Sequence, residues 1–402
     1  MADAISNLRQ LIAAELADLR VIRHDLHAHP ELGYQETRTS GIVQRELTRL
    51  GIAFKAGLAK GTGVVAHIPA TEGGAGNRPA IALRADMDAL PISEQTGLPY
   101  ASTTPGKMHA CGHDGHTTML MGTARVLSKL THRPNPVTLL FQPAEEGGGG
   151  AEVLVAEGAL TGAVIGPPVG RAFGLHGWPQ LPVGSVGTRP GPLLASTDEL
   201  NVAIHGVQSH AAYPHYSADT VLCVAHCITA LQQIASRNID PLDSVVVSIC
   251  KVSGGTALNV IPETARFSAT IRSLKPETRE KARRRFKEIC EATAQAFGCR
   301  AEVELDPGYP VTHNDPALTE RFFKIAHEAL PPEMVKTIDH PSMGGEDFSY
   351  YGQKVPAVFF CLGLKRPGQE RHPTLHQPDF DFNDDAMPLG IEMFCRLALA
   401  EG

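Results

Sequence analysis

Four short runs of consecutive apolar residues constrain the fold more than any other feature of this 402-residue chain. They lack the alternation of a strand with one solvated face, so both faces of each run are expected to be covered, as in a mainly parallel sheet. Helical patterns lie between them, which indicates an α/β domain. The runs are residues 80–83 (AIAL), 137–141 (VTLLF), 172–175 (AFGL) and 355–362 (VPAVFFCL), and the helical patterns include 116–130 and 317–330.

The middle of the chain has a different pattern, in the order β-α-β-β-α-β. This order is typical of a ferredoxin-like sheet with two helices on one face. The predicted strands are 199–205, 244–252, 264–273 and 301–305, and the predicted helices are 218–236 and 276–297. A self-contained motif at this place predicts an inserted domain, residues 193–306, within a larger domain made of residues 1–192 and 307–402.

Residues that can bind metal ions follow the predicted strands of the larger domain. Ligands of open α/β sheets bind outside the carboxyl ends of the strands, so these side chains are expected at one edge of one sheet. Their mixture of thiol, imidazole and carboxylate groups suits zinc, manganese or related ions, and leaves room for two ions that share a bridging ligand. The candidates are Asp86, Asp88, Cys111, His113, Glu145, Glu146, His176, His372 and His376.

The adjacent pair Glu145 and Glu146 precedes four glycines, 147–150. Neighbouring residues of an extended chain point in opposite directions, so the two carboxylates are not expected to be equivalent ligands. One can bind metal while the other acts as a general base. The glycines allow the backbone to approach the site closely.

Charge and composition exclude several classes of protein. The net charge of -7 is spread along the chain, whereas binding to nucleic acid calls for a basic patch. There is no apolar stretch of roughly 18 residues that would predict a membrane span. The N-terminus lacks the basic start and apolar core of a signal peptide. The eight cysteines are scattered, which with no export signal predicts reduced thiols in a cytoplasmic protein.

Long motifs spread over nearly the whole chain resemble those of the M20-type metallopeptidases, in the same order. The resemblance is strongest to the aminoacylase-like branch of N-acyl-amino-acid amidohydrolases, which includes hippurate hydrolases and plant auxin-conjugate hydrolases. It begins in the first helical segment, RHDLHAHPELGYQE. It continues through RADMDALP, MHACGHDGHT, FQPAEEGGGGA, GLHGWP, GVQSHAAYPH, GGTALNVIPETA, GGEDFSYY and HPTLHQP.

The resemblance implies two divalent metal ions per chain, of the Mn, Zn, Ni or Co kind, and assigns their ligands residue by residue. Glu145 would be the general base, and Asp88 would orient a ligand, as metal-binding imidazoles usually require. Asp86, His109, His116 and His372 are expected to have structural or supporting roles. The implied metal ligands are Cys111, His113, Glu146, His176 and His376.

In the inserted domain the resemblance implies a lid and dimerisation role and three substrate-binding residues. His210 would hydrogen-bond the oxygen of the scissile carbonyl, often across a dimer, which makes a homodimer or higher homo-oligomer an expected state. Asn259 and Arg272 are candidates to hold a substrate carboxylate. The planar guanidinium of Arg272, near the end of a predicted strand, suits a carboxylate bidentately.

The function implied is hydrolysis of N-acyl-amino acids, small-molecule substrates of the hippurate or N-acetyl kind, to a carboxylic acid and a free amino acid. Three alternatives stay open. A dipeptidase or aminopeptidase could use the same fold, and a metal-dependent binding protein could lack catalysis. A cysteine hydrolase using Cys111 would need no metal, but it would leave Glu145, Glu146 and His376 without a role. The acyl group and the metal are not fixed by the sequence.

Overall fold

The computed structural model describes residues 7–71 and 78–401. Contacts divide the chain into two units, which are described separately. The first unit comprises Met1–Leu193, His313–Asp339 and Asp347–Gly402, and the second comprises Leu194–Thr312 and His340–Glu346. The second unit thus extends a few residues beyond the predicted insertion, and also contains a short segment that the sequence placed in the flanking domain.

The described residues form nine α-helices and sixteen strands. The helices are α1 (Leu8–Ala28), α2 (Thr37–Arg49), α3 (His113–Lys129), α4 (Gly150–Ala156), α5 (Thr220–Leu231), α6 (Pro276–Ala296), α7 (Pro316–Ala329), α8 (Ser349–Gly352) and α9 (Met387–Leu399). The first eight strands are β1 (Ala53–Leu58), β2 (Gly63–Ile68), β3 (Ala80–Asp86), β4 (Val137–Gln142), β5 (Val169–Pro182), β6 (Val186–Thr188), β7 (Gly191–Leu194) and β8 (Ser196–His205). The others are β9 (Ser209–His210), β10 (Val245–Gly254), β11 (Val260–Ile261), β12 (Thr264–Ser273), β13 (Arg300–Pro307), β14 (Thr312–Asn314), β15 (Val335–Thr337) and β16 (Ala357–Lys365).

The first unit contains an eight-stranded sheet in the order β1-β2-β4-β3-β5-β16-β6-β15. The four predicted apolar runs form its centre, where β4, β3, β5 and β16 are mutually parallel. Every residue of β3 and β4 is buried, which explains why these strands read as continuous apolar runs. Antiparallel pairs join β1 to β2, β2 to β4 and β16 to β6, so the sheet as a whole is mixed.

Helix α3 begins at the predicted ligand His113 and is buried from His113 to Leu127. It packs against α1 and α9, and this helical layer joins the strands in one apolar core. A helix that is covered on all sides holds its first turn rigidly. Within the described residues, no helix is both long and apolar enough to cross a membrane.

The second unit contains a four-stranded antiparallel sheet in the order β10-β12-β8-β13. Along the chain its main elements follow the order β8, α5, β10, β12, α6, β13. The core lies between the sheet and the two helices and includes Leu200, Phe267 and Phe286. Helix α6 begins at Pro276, a residue suited to the first helical turn, and the predicted strand 264–273 coincides with β12.

Candidate metal centre

The turn before α3 presents two of the predicted ligands. Gly112, between Cys111 and His113, adopts a left-handed conformation with φ of 92°. A Cβ atom at this position would also lie 3.1 Å from the ring of Phe382. Glycine is therefore favoured here both by the backbone conformation and by the available space. The turn brings the Cys111 thiol and the His113 imidazole to the same side of the chain, where they lie near each other.

The five predicted metal ligands lie together in two overlapping groups. Cys111, His113 and His176 place one donor atom each within 4.8 Å of one another, and so do Cys111, Glu146 and His376. The Cys111 Sγ lies 3.3 Å from the Nε2 of His176. Cys111 belongs to both groups, so its sulfur lies near the other four donors.

His376 reaches this cluster through an unusual backbone conformation. Its φ is 65°, in the left-handed region, and its backbone N–H donates to the carbonyl of Ala110 at 2.8 Å. The imidazole Nε2 lies 3.1 Å from Glu146 Oε1, and about half of the side chain is exposed. Left-handed conformations of non-glycine residues cost about 1–3 kcal/mol and cluster at functional sites. His376 thus forms the solvent-facing side of an otherwise buried cluster.

Two of the imidazoles are oriented by backbone carbonyls. The Nδ1 of His113 lies 2.9 Å from the carbonyl oxygen of Asp88, and the Nδ1 of His176 lies 2.8 Å from that of Gly177. A carbonyl can only accept, so in both rings Nδ1 carries a hydrogen, and in the neutral form of each ring the lone pair is on Nε2. This is the tautomer that a metal ligand binding through Nε2 requires.

Asp88 contacts two candidate ligands at once. One carboxylate oxygen accepts from the backbone N–H of Glu146 at 2.9 Å, and the other lies 3.3 Å from His113 Nδ1. Asp88 is fully buried, so these contacts fix it firmly. These contacts are compatible with the predicted role of Asp88, which is to orient a ligand.

Asp86 and His116 form a buried pair next to the cluster, and Asp86 also lies 3.7 Å from His113 Nε2, so that these three residues make a further group of donors. The His116 Nδ1 donates to Asp86 at 2.7 Å, and His116 Nε2 accepts from the backbone N–H of Gly177 at 2.8 Å. Both nitrogens of His116 are thus already engaged. This bonding favours the predicted supporting role, which is to hold the backbone next to His176.

The sequence interpretation missed a buried polar network below the site. Asp347 accepts from Arg84 Nη2 at 2.8 Å, from the side-chain amide of Gln142 and from the backbone N–H of Ala151 at 3.0 Å. Arg84 also donates to Asp86. Arg84 and Asp347 stand within the motifs RADMD and GGEDF, so the signal was present, but single motifs do not reveal that they pair.

Glu145 lies beside the candidate ligands and not among solvent-exposed loop residues. It is 6% exposed, and one carboxylate oxygen falls within 4.8 Å of donor atoms of both His113 and Glu146. The backbone N–H of Asp347 lies 3.4 Å from Glu145 Oε1. The two adjacent glutamates thus occupy different surroundings, because Glu146 contacts His376 whereas Glu145 faces Asp347.

The electrostatics of the cluster match a site for cations. Burial and the nearby carboxylates of Glu146 and Glu145 raise the pKa of the Cys111 thiol well above its usual value. Burial opposes protonation of His113, but Asp86, Asp88 and Glu146 outweigh it and raise the pKa of this imidazole to about 10. Both shifts share one cause, the carboxylates packed around these donors, and carboxylates in this arrangement also favour a bound cation.

An unpartnered nitrogen gives a direct test of whether a metal fits. Among the described residues, His113 Nε2 is buried and has no hydrogen-bond partner. Buried polar atoms are nearly always hydrogen-bonded, so such an atom calls for an explanation. With Nδ1 bonded to Asp88, the neutral ring would present the lone pair of Nε2 to the space shared with Cys111 and His176. The donor set fits divalent metal ions.

The remaining histidines of the predicted region lie outside the groups of donors. His372 is buried, and its Nδ1 lies 2.8 Å from the carbonyl oxygen of Pro373. Neither nitrogen of His109 has a hydrogen-bond partner within the part of the chain that the structure describes. Burial lowers the pKa of His109 to about 4, so it is neutral. Both positions fit the predicted supporting roles.

The three predicted substrate-binding residues lie in the second unit. The short strands β9 and β11 bring His210 and Asn259 together, and the N–H of Ala211 donates to the Asn259 carbonyl at 2.9 Å. His210 Nδ1 accepts from the N–H of Ala212 at 3.0 Å, so the hydrogen of the exposed ring is on Nε2. Arg272 lies on β12, half-buried, where its Nε donates to Thr270 at 3.1 Å.

Residues 82–400 of the chain match the sequence profile of Peptidase family M20/M25/M40. A curated relative, IAA-amino acid hydrolase ILR1-like 4 of Arabidopsis thaliana, is 38% identical over 94% of this chain and 84% of its own length. N-acetylcysteine deacetylase of Bacillus subtilis is also 38% identical, over 94% of this chain and 95% of its own.

A solved structure of the Bacillus subtilis YXEP protein, described as a dinuclear metal binding peptidase from the M20 family, superposes with a TM-score of 0.81. It is 34% identical to this chain, and the match covers 96% of this chain and 98% of that one. The similarity thus extends over both units in sequence and includes every candidate ligand.

Proposed function

The chain belongs to Peptidase family M20/M25/M40, and from this membership we propose that it is a metal-dependent amidohydrolase of N-acyl-amino acids. The reaction would cleave the amide bond and release a carboxylic acid and a free amino acid. The names of the curated relatives, an IAA-amino acid hydrolase and an N-acetylcysteine deacetylase, support substrates of this class.

The observation that carries the proposal is the pair of overlapping donor groups that share Cys111 next to the buried carboxyl of Glu145. Two divalent ions would be held by Cys111, His113, Glu146, His176 and His376. The chemistry that such ions supply when bound is the activation of water and the polarisation of a carbonyl group. The donor set is compatible with Mn, Zn, Ni or Co and does not select one of them.

In this proposal Glu145 moves the protons of the reaction. Its carboxylate takes a proton from the attacking water and later gives a proton to the nitrogen of the leaving amino acid. Asp88 keeps the His113 ring and the Glu146 backbone in their orientations while the charge at the site changes. The burial of Glu145 removes competing water, which strengthens the electrostatic effect of each neighbouring group.

We propose that residues of the second unit bind the substrate and recognise its acyl oxygen and its carboxylate. The hydrogen on His210 Nε2 is available to donate to the acyl oxygen as negative charge develops on it. Asn259 and Arg272 would bind the carboxylate of the amino acid. One edge of the Arg272 guanidinium is engaged through Nε, and a bidentate contact would use the other N–H groups.

We also propose that this unit is an inserted ferredoxin-like lid and dimerisation domain, which would correspond to the predicted residues 193–306. Strand β10 lies at the edge of its sheet, and Val252 on this strand is 60% exposed. Val221 and Leu222 on the neighbouring α5 are nearly half exposed. An antiparallel edge strand next to an apolar helix face can pair with its own copy about a two-fold axis.

The experiment that tests the function measures release of free amino acid from N-acetyl, N-benzoyl and longer-chain N-acyl amino acids. It is run with added Mn²⁺ or Zn²⁺ and repeated with an excess of chelator. Release that is lost with chelator and restored by either ion is the expected result. The same panel ranks the acyl groups, because one methylene in an apolar pocket changes selectivity by about 10- to 200-fold.

Two outcomes would contradict the proposal. Release that survives complete removal of metal would favour Cys111 as a nucleophile. No release from any N-acyl amino acid, in protein that binds metal, would favour a dipeptide substrate or a binding protein without catalysis. A dipeptide panel under the same conditions separates these last two.

A further inference from the structure

The loop that carries Glu145 and Glu146 has a strained backbone. Ala144, directly before Glu145, is fully buried and adopts φ of 53°, in the left-handed region. For a residue with a Cβ atom this costs about 1–2 kcal/mol relative to the ordinary conformations. Such strain persists only where the surroundings hold it. The direction of the Glu145 side chain therefore depends on whatever keeps Ala144 in this conformation.

A distant carboxyl group holds this residue. The backbone N–H of Ala144 donates to Glu36 Oε1 at 2.8 Å, although the two residues are 108 positions apart. The other oxygen of Glu36 contacts the hydroxyl of Thr62 at 2.8 Å. Glu36 is 0% exposed. Burial raises the pKa of its carboxyl to about 7, and in either protonation state one oxygen can accept from Ala144.

The residues before Glu36 contact the same loop at two further points. The hydroxyl of Tyr34 donates to the carbonyl of Gly148 at 2.6 Å. Gly33 packs so closely on Ala144 that a Cβ atom would lie 3.1 Å from its Cα and Cβ atoms. Tyr34 itself has φ of 62°. The segment 33–36 thus touches the loop before Glu145 and after Glu146.

The two residues directly before this segment, Glu31 and Leu32, are joined to the loop that carries Asp88. The backbone N–H of Ala89 donates to the Glu31 carbonyl at 2.8 Å, and Leu32 forms a bridge with Ala89. Asp88 in turn accepts from the N–H of Glu146. One continuous segment therefore fixes the backbone on both sides of the candidate ligand and base.

We propose that segment 33–36, within the motif PELGYQE, is a clamp for the loop 143–150, with Glu36 as the positioning residue that keeps Glu145 aligned for proton transfer. This role rests on the proposed function of Glu145. Glu36 does not touch the reacting atoms. Its bond to Ala144 stabilises the left-handed conformation, and the Tyr34 bond fixes the far end of the glycine-rich turn.

The test compares Glu36→Ala with the matched variant Thr62→Val in the metal-loaded, full-length protein. Thr62→Val removes the other hydrogen bond of the same carboxyl and leaves the loop contact intact. Glu36→Ala is expected to lower kcat for the best N-acyl amino acid about 10²-fold, since misplacement of a reacting group by about 1 Å has this effect. KM should change less than about threefold, because substrate binding is not altered. Thr62→Val should retain kcat.

A second substitution addresses the strain directly. Glycine adopts positive φ freely, so Ala144→Gly in the Glu36→Ala background should restore at least about tenfold of the lost kcat. The conservative Glu36→Gln, whose amide oxygen can accept from Ala144, should also restore kcat. A loss of kcat that is equal in Glu36→Ala and Thr62→Val, or that glycine at 144 does not reduce, would overturn the clamp.

Hydrogen exchange of the loop gives a readout that does not depend on activity. In Glu36→Ala, measured by mass spectrometry with saturating Zn²⁺, the amide of Ala144 should exchange about 10-fold faster than in the wild type and in Thr62→Val. Unchanged exchange would overturn the clamp even if kcat fell. If the wild type hydrolyses no N-acyl amino acid, the proposed function fails, whereas the exchange result still decides the clamp.

Discussion

The two groups of predicted functional residues differ most in how they are held. In the first unit, Cys111 and His113 are at most 6% exposed, and Asp88 fixes the imidazole of His113. In the second unit, His210 lies on the two-residue strand β9, Asn259 directly precedes its partner strand β11, and both residues are exposed. The metal-type donors are therefore oriented before any ligand arrives, whereas the substrate-type residues keep polar atoms free for a ligand. The comparison indicates that residues for metal binding and proton transfer are favoured by burial, which excludes water, whereas residues that bind the substrate must stay accessible to it.

The strongest test of this comparison is Glu145→Gln in the buried group. An amide of the same shape cannot take a proton, so kcat is expected to fall about 10⁴-fold. Metal content, measured by atomic emission, should stay at the wild-type value because Glu145 is not a proposed ligand. The matched control is Glu152→Gln, an exposed carboxylate on α4. A Glu145→Gln enzyme with near-normal kcat would remove the general base from the proposal.

The second test addresses Arg272, the half-buried member of the predicted substrate-binding residues. Arg272→Ala should raise KM for N-acyl amino acids about 10- to 100-fold, since a hydrogen bond to a charged group contributes about 1.5–3 kcal/mol. Amide-capped analogues without the carboxylate should be affected little. Arg266→Ala on the same strand is exposed and serves as the control. Equal effects of Arg272→Ala on both substrates would show that this residue does not bind the carboxylate.

The third test asks whether burial makes the first unit sensitive to pH. Burial alone would disfavour protonated His27, but its bonds to Asp114 and Glu94 outweigh this effect and raise its pKa from 6.5 to about 9. A raised pKa contributes stability that is fully present below pH 6.5 and is lost as pH rises through about 9. Because the side chain is fully buried, this pKa shift corresponds to a contribution of His27 to the free energy of unfolding on the order of 3 kcal/mol.

Denaturant unfolding of the metal-free protein between pH 6 and 10 measures this effect. The His27→Gln variant should show a smaller decline above pH 6.5 than the wild type, and the decline that remains includes the contribution of His113, whose pKa is raised to about 10. The same decline in both proteins would mean that His27 does not contribute to it. The ion pairs of Arg23 with Asp381 and Asp384 remain in both proteins.

The smallest effect is expected on the surface of the second unit. Lys287 and Glu291 on α6 approach to 3.8 Å, with both side chains more than half exposed. Such a pair contributes about 0.3 kcal/mol and is screened by salt. Lys287→Ala should therefore change the unfolding free energy by less than about 0.5 kcal/mol, and still less at 1 M NaCl. A larger loss of unfolding free energy would show that the Lys287 side chain makes stabilising interactions beyond this solvent-exposed ion pair.

The sequence by itself determined the elements whose signals are local. The predicted helix 276–297 differs from α6 (Pro276–Ala296) by one residue, because proline marks the first turn and the apolar positions repeat along one face. The central strands were recognisable as unbroken apolar runs because both of their faces are buried. The strands β1, β2, β6 and β15 were missed. Three of them are short or partly exposed, and the pairing of an edge strand is decided by its neighbours.

The candidate ligands followed from motifs and from the rule that sites lie at strand ends, but their surroundings did not. His176 was expected after a strand, whereas β5 continues to Pro182 and His176 lies within it, paired with Cys361 of β16. Only the tertiary structure decided the Nδ1 partners of the imidazoles, the left-handed backbone of Ala144 and His376, and the bond from Glu36 to Ala144. Each depends on groups far apart in the chain, and local sequence determines residue types and periodicity but not which distant donors and acceptors meet.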